Sequence, residues 1–167
     1  MLNPATDADL AEAAALINVS YRGEAAERGW THENGYISGE RIAPVELADM
    51  RAARPDGRLL LHRGDEGAPI GCLWLEPHGD GAWYLGLLAV EPDRQDRKLG
   101  RALLEEAETL ARSQGGRRMR LTVVHLRETL IAWYQRRGYV LTGETEPFPQ
   151  PALASRDLHL VVLEKPL

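Results

Sequence analysis

The chain has 167 residues, 44% of them apolar and 27% charged, and a net charge of −5 at pH 7. That balance describes a single folded domain over 1–167 and excludes a disordered chain; an acidic protein of this kind is also unsuited to nonspecific nucleic-acid binding. No apolar run approaches the ~20 residues a membrane helix needs, and Met1-Leu2-Asn3-Pro4 does not open a secretory signal, so a cytoplasmic location with no membrane partner is expected. The single cysteine, Cys72, excludes an internal disulfide and a cysteine-rich zinc site, and no metal is expected.

Thr6-Asp7-Ala8-Asp9 reads as a helix start, and Leu10, Ala13, Ala14, Ile17 and Tyr21 then recur at helical spacing. Residues 22–43 hold four glycines and no period, which predicts a long loop with at most short helical pieces. Pro44 opens a second helix to about Ala53. Arg58–His62, Pro69–Leu75 and Ala82–Val90 read as strands separated by Gly-rich turns, with Gly86 marking a bulge or a close backbone approach. A helix from about Lys98 is amphipathic through Leu99, Leu103, Ala107 and Leu110 and is ended by Gly115-Gly116. Met119–Val124 is a buried strand, Arg127–Arg137 a helix capped by Gly138, and Tyr139–Thr142 a strand. Glu144–Ser155, with three prolines, reads as a loop, and Leu158–Leu163 as the last strand. The order is that of an α/β protein in which an antiparallel meander feeds a β-α-β unit.

Charge is uneven along the chain. From Arg94 to Arg137 there are 11 basic and 5 acidic residues, whereas the remainder is strongly acidic. This basic block contains a strand end, a polar turn and a helix start, Leu88-Ala89-Val90-Glu91-Pro92-Asp93-Arg94-Gln95-Asp96-Arg97-Lys98-Leu99-Gly100-Arg101-Ala102. Amides at a helix start have no internal partner and, with the helix dipole, attract anions. Gly100 and Ala102 allow close approach, and Arg97, Lys98 and Arg101 add positive charge. The Walker and dinucleotide glycine patterns are absent. An ordinary amphipathic helix with a charged N-terminus would have the same composition.

The same stretch resembles the acetyl-coenzyme A signature of the GNAT-type N-acetyltransferase superfamily, [QR]-x-x-G-x-[GA]. Gln95 matches the first position and Gly100 the last, while Lys98 replaces the usual first glycine, a departure compatible with a helical φ at 98. About 30 residues on, Leu130-Ile131-Ala132-Trp133-Tyr134-Gln135-Arg136-Arg137-Gly138-Tyr139 resembles a second motif of that family. The pair is more specific than either motif alone. Arg28-Gly29-Trp30-Thr31, Val123-Val124-His125-Leu126-Arg127 and Pro147-Phe148-Pro149 resemble a subgroup with mostly unassigned acceptors.

The resemblance implies a mixed, mostly antiparallel sheet of six to seven strands with about four flanking helices. It implies acetyl-CoA as cosubstrate, its diphosphate held by amides of about Arg97, Lys98, Leu99, Gly100, Arg101 and Ala102 together with Gln95. Its pantetheine arm would pair with the backbone of Leu88, Ala89 and Val90. It also implies Tyr134 as the proton donor to the departing thiolate, for which a phenol of pKa ~10 is suited. Where some members carry a catalytic glutamate, residues 85–90 hold none. Glu33, Glu76, Tyr84 and His125 are the candidate bases, none set apart from the others. Arg127 stands where many members have a cofactor-contacting asparagine, and either reaches a phosphate or faces solvent.

The acceptor is expected between the 22–43 and 144–155 loops, with Trp30 covering an apolar part, Thr31 beside it, Glu33 attracting an ammonium and Phe148 as wall or lid. A small-molecule or peptide amine is the expected acceptor. Deprotonating an α-amine of pKa ~7.8 at pH 7 costs about 1 kcal/mol, against about 4.6 for a lysine, so an amine of low pKa is the easier nucleophile. A silent acyl-CoA-binding module and a protein-modifying acetyltransferase are the alternatives. Monomer and homodimer are both compatible with the sequence.

Overall fold

The computed structural model describes residues 1–167, Asp96 excepted. Among the described residues, seven strands form one sheet: β1 (Asn3–Pro4), β2 (Arg58–Arg63), β3 (Pro69–Pro77), β4 (Ala82–Val90), β5 (Arg118–Val124), β6 (Val140–Pro147) and β7 (His159–Pro166). Their spatial order is β1-β2-β3-β4-β5-β7-β6. All neighbours are antiparallel except β4 and β5, which a helical crossover joins in parallel. The α-helices are α1 (Leu10–Tyr21), α2 (Pro44–Ala53), α3 (Leu99–Ser113) and α4 (Glu128–Gln135). The sheet and helices are those the resemblance implied.

Alternation along the strands feeds two cores. In β2, Leu59 and Leu61 pack with Ala13, Ala14 and Ile17 of α1, while Leu60 packs with Leu103, Leu104 and Ala107 of α3. In β3, Cys72 and Trp74 join the α1 side, and Leu73 and Leu75 the α3 side. β4 breaks this rule. Trp83 and Leu85 lie in the α3 core, yet Leu87 and Ala89, of the same parity, lie in the α1 core. A bulge resets the phase: Cys72 pairs with Ala89 and Trp74 with Gly86, leaving one extra residue on β4, where Leu87 has φ 51°. The bulge foreseen from Gly86 therefore falls on its neighbour.

The bulge bends β4 away from β5. The two pair only at Ala82, Trp83 and Tyr84, opposite Arg118, Met119 and Arg120. Beyond these residues the strands separate, and among the described residues Leu85–Val90 has no strand partner on that side. This gap in the middle of the sheet is the framework of the site.

Two sequence readings need correction. The strand expected to stop at Thr142 continues to Pro147, through residues read as loop. β6 is an edge strand exposed along nearly its whole length, so its polar Glu144-Thr145-Glu146 reflects the lack of any covering layer. The two-residue β1 carries no periodic signal and was not foreseen; it pairs Asn3 and Pro4 with Leu61 and Leu60. The 22–43 segment is the expected loop with one 3-10 turn, Glu24–Arg28. An isolated bridge from Ile37 to Ala154 joins it to the segment after β6.

Candidate active site

A cavity of about 580 Å³ opens where β4 and β5 part. Its walls come from the end of α1, the 22–43 loop, β4, β5, the start of α3, α4, and Phe148-Pro149-Gln150. Of the residues singled out from sequence, it brings together Trp30, Thr31, Glu33, Leu88, Ala89, Val90, Gln95, Lys98, Gly100, Arg101, Tyr134 and Phe148. Arg97, Leu99 and Ala102 do not line it with their side chains.

At one end lies the start of α3. Lys98 is its N-cap, with φ 64° and ψ 3°. That conformation is left-handed, not the helical φ the sequence reading allowed for, and it is the one in which a glycine is cheapest. As the first N–H groups of α3, those of Leu99, Gly100 and Arg101 have no intrahelical acceptor, whereas the Ala102 N–H bonds the Lys98 carbonyl at 3.0 Å. A Cβ at Gly100 would meet Val90 and Trp133 at ordinary contact, 3.6 and 3.9 Å, so Gly100 is not demanded by packing.

Gln95 has another task than holding an anion. Its Oε1 accepts from the N–H of Trp30 at 3.0 Å and of Thr31 at 3.3 Å, and its Nε2 donates to the Val90 carbonyl at 3.2 Å. It ties the 22–43 loop to the end of β4. The Val90 carbonyl also accepts from Ser20, and that of Leu88 from the Tyr21 hydroxyl at 3.2 Å.

The aromatic wall is built on α4. Trp133 lies edge-on to Tyr134 at 5.0 Å between centroids and faces Trp30 at 6.2 Å. Arg137 stacks over Trp133 at 3.7 Å. Trp30 thus packs toward α4 while lining the cavity. Tyr134 is almost fully buried, and burial, reinforced by the neighbouring Tyr21, pushes its phenol well above the usual range. Its hydroxyl bonds no other described residue, yet the side-chain atoms both sealed and unpartnered are His32 Nδ1 and Arg137 Nε, so the phenol oxygen stays reachable.

Glu33, also in the cavity wall, is buried between two guanidiniums. Its Oε2 accepts from Arg22 Nε at 2.8 Å, and its Oε1 lies 3.5 Å from Arg127. Arg127 also donates to the Thr31 hydroxyl at 2.5 Å. Arg127 therefore neither reaches outward for a phosphate nor faces solvent; it locks the loop against α4. Arg22 goes on to the Glu40 carbonyl at 2.9 Å and to Gln150 Oε1 at 3.0 Å. Glu33 is thus already matched in charge, which removes it as a free base or as a lone attractor of an ammonium.

The other candidate bases fare differently. Glu76 is held by Trp74 Nε1 at 2.8 Å and Arg54 at 3.2 Å, away from the cavity. His125 stacks on His159 at 3.9 Å and is not part of the cavity wall. Tyr84 lines the cavity, 3.3 Å from the Thr122 hydroxyl, and burial raises its pKa. Sequence reasoning missed Arg22, Arg41 and the cavity role of Tyr21, because nothing local in a glycine-rich loop says which arginine turns inward. Among the described residues no group of His, Cys, Asp and Glu could hold a metal ion, and no helix is long and apolar enough to cross a membrane.

Comparison with known proteins places this geometry. The chain is similar to a mycothiol acetyltransferase from Beutenbergia cavernae, 28% identical over 124 residues, which are 70% of this chain; it spans 42% of that relative's length. Among solved structures, a GNAT-family acetyltransferase from Staphylococcus aureus superposes with a TM-score of 0.72 at 15% identity, over 100% of this chain and 98% of that one. One from Elizabethkingia anophelis with acetyl-CoA bound gives 0.62 at 18% identity, over 73% and 82%. The model of the acetyltransferase (GNAT) family matches residues 23–139, from the 22–43 loop through α4, and the chain belongs to that family.

Proposed function

We propose that the chain transfers an acetyl group from acetyl-CoA to a primary amine directly, with both substrates bound, and that Tyr134 is the general acid. Acetyl-CoA supplies an activated thioester acyl group. The residues present fit such a carrier. Three amides without an intrahelical acceptor and the side chains of Lys98 and Arg101 suit a diphosphate, and the bared edge of β4 suits an amide-bearing arm. Arg137, in the same wall, adds a further positive charge.

The observation that carries the reading is the unpartnered Tyr134 hydroxyl, kept protonated by burial, in the same cavity as the open start of α3. A phenol so placed holds a proton at neutral pH and gives it to a departing thiolate. The attacking amine must arrive neutral, and among the described residues the cavity offers no unmatched carboxylate to deprotonate it, which favours an amine of low pKa. Cys72 does not suit an acyl-carrier role. It is fully buried, its thiol bonds the Leu87 carbonyl at 3.7 Å, and burial pushes its pKa up to about 12.

Tyr134→Phe tests this. The expected result is a kcat lowered about 10²- to 10⁴-fold across an amine panel, with CoA affinity unchanged. Equal rates in wild type and variant would remove Tyr134 from the chemistry. Two idle proteins that still bind CoA would point to a silent binding module.

A further inference from the structure

The cavity carries positive charge that the transfer chemistry does not use. Its wall holds Arg41, Arg127 and a single carboxylate, Glu33, the sole acidic residue there among the described residues. Arg22 and Arg127 share that carboxylate. Arg41 has none, and its guanidinium makes no hydrogen bond to any described residue. It is half-buried and lies over the Tyr21 ring at 5.6 Å, with Arg127 at 5.5 Å from the same ring.

Its position is built. Asn18, near the end of α1, accepts from the backbone N–H of Arg41 at 2.7 Å and of Ile42 at 3.0 Å, and donates to the Ile42 carbonyl at 2.9 Å. The other acids near Tyr84 are already engaged, Glu76 with Arg54 and Glu146 with Arg120. An unmatched guanidinium held on a rigid ring at a cavity wall is a receptor for a planar oxyanion.

We propose that the amine acceptor also carries a carboxylate, received by Arg41 with Arg127 beside it. The proposal rests on the transfer reading above for the amine, but the anion site stands on its own geometry. The same positive field disfavours a bound ammonium and so favours the neutral amine that transfer requires. An amine without an anionic group would meet that field with nothing to offset it.

The test uses matched sets, each an amino acid, its amide and its decarboxylated amine, for example leucine, leucinamide and isoamylamine. Binding to the full chain with CoA present is read by calorimetry, and acetyl transfer is read by thiol release. The carboxylated member is expected to bind and react about 10- to 100-fold better. Arg41→Gln should bring it down to the level of its amide, mainly through KM, and Arg41→Lys should restore part of the preference. Carboxylate-dependent binding without transfer to any amine would uphold this inference and overturn the transfer reading. Transfer with equal use of all three members, or an Arg41→Gln loss shared equally by all three, would overturn this inference and leave the transfer reading intact.

Discussion

Lys98 holds a left-handed conformation that costs a side chain with a Cβ about 1–2 kcal/mol. Glycine would remove that cost while losing more freedom on folding, by roughly 0.5–1 kcal/mol. Lys98→Gly is therefore expected to stabilise the chain slightly, raising Tm by about 1–4 °C. A fall in Tm would mean that the lysine side chain holds the turn by contacts that outweigh its strain. The family pattern left visible that something unusual occupied position 98. It left hidden the sign of φ, because a lysine in a sequence carries no mark of the left-handed region. Gln95 shows a related limit: its match to the motif was legible, whereas its bonds to Trp30 and Thr31 depend on a loop more than sixty residues earlier in the chain.

Among the elements, β4 and α3 decide the site together. The bulge at Leu87 opens the sheet, and α3 begins at the mouth of the opening. The amphipathic period of α3 was plain, since Leu103, Leu104, Ala107 and Ala111 form its buried stripe. The phase change in Ala82–Val90 was not, because a strand buried on both faces shows no alternation to break. β6 failed in the opposite direction: its polar residues imitate a loop because one face after the other meets solvent. The open start of α3 predicts the effect of Gly100→Glu. The added Cβ makes ordinary contacts, so the variant should fold, and its carboxylate opposes a phosphate at the amides. CoA affinity should fall at least about tenfold, which is about 1.4 kcal/mol in titration calorimetry. Unchanged affinity in a folded variant would place the diphosphate elsewhere.

Over the whole molecule, the buried polar groups form two kinds of assembly. One is the Arg22–Glu33–Arg127 group, which ties α1, the long loop and α4 together. Removing the Glu33 charge would leave two buried guanidiniums unmatched, a loss of about 3–5 kcal/mol. The other is the set of tyrosines. The chain has five, Tyr21, Tyr36, Tyr84, Tyr134 and Tyr139, and burial raises the pKa of every one, Tyr21 to about 12. A raised phenol pKa stabilises the fold fully below the unfolded value of ~10, and that contribution is lost as pH rises through the folded values. Native protein should therefore show less phenolate absorbance at pH 10 than the unfolded chain, which is half ionised there, and its stability should fall as pH rises from 10 toward 12. A native titration midpoint near 10 would contradict the burial of these rings. The sequence displayed the two motifs that delimit the site, but not which charges meet within it, since those pairings join residues that only the folded sheet brings together.

Central to the proposed function is one arrangement, in which amides opening α3 hold the diphosphate of acetyl-CoA and leave the sulfur beside the Tyr134 hydroxyl. A crystal structure of the CoA complex measures this directly. Phosphate oxygens are expected within about 2.7–3.2 Å of the Leu99, Gly100 and Arg101 amides, and the thiol sulfur within hydrogen-bond reach of the Tyr134 oxygen. Phosphates bound elsewhere, or a sulfur separated from that phenol by the protein wall, would contradict it.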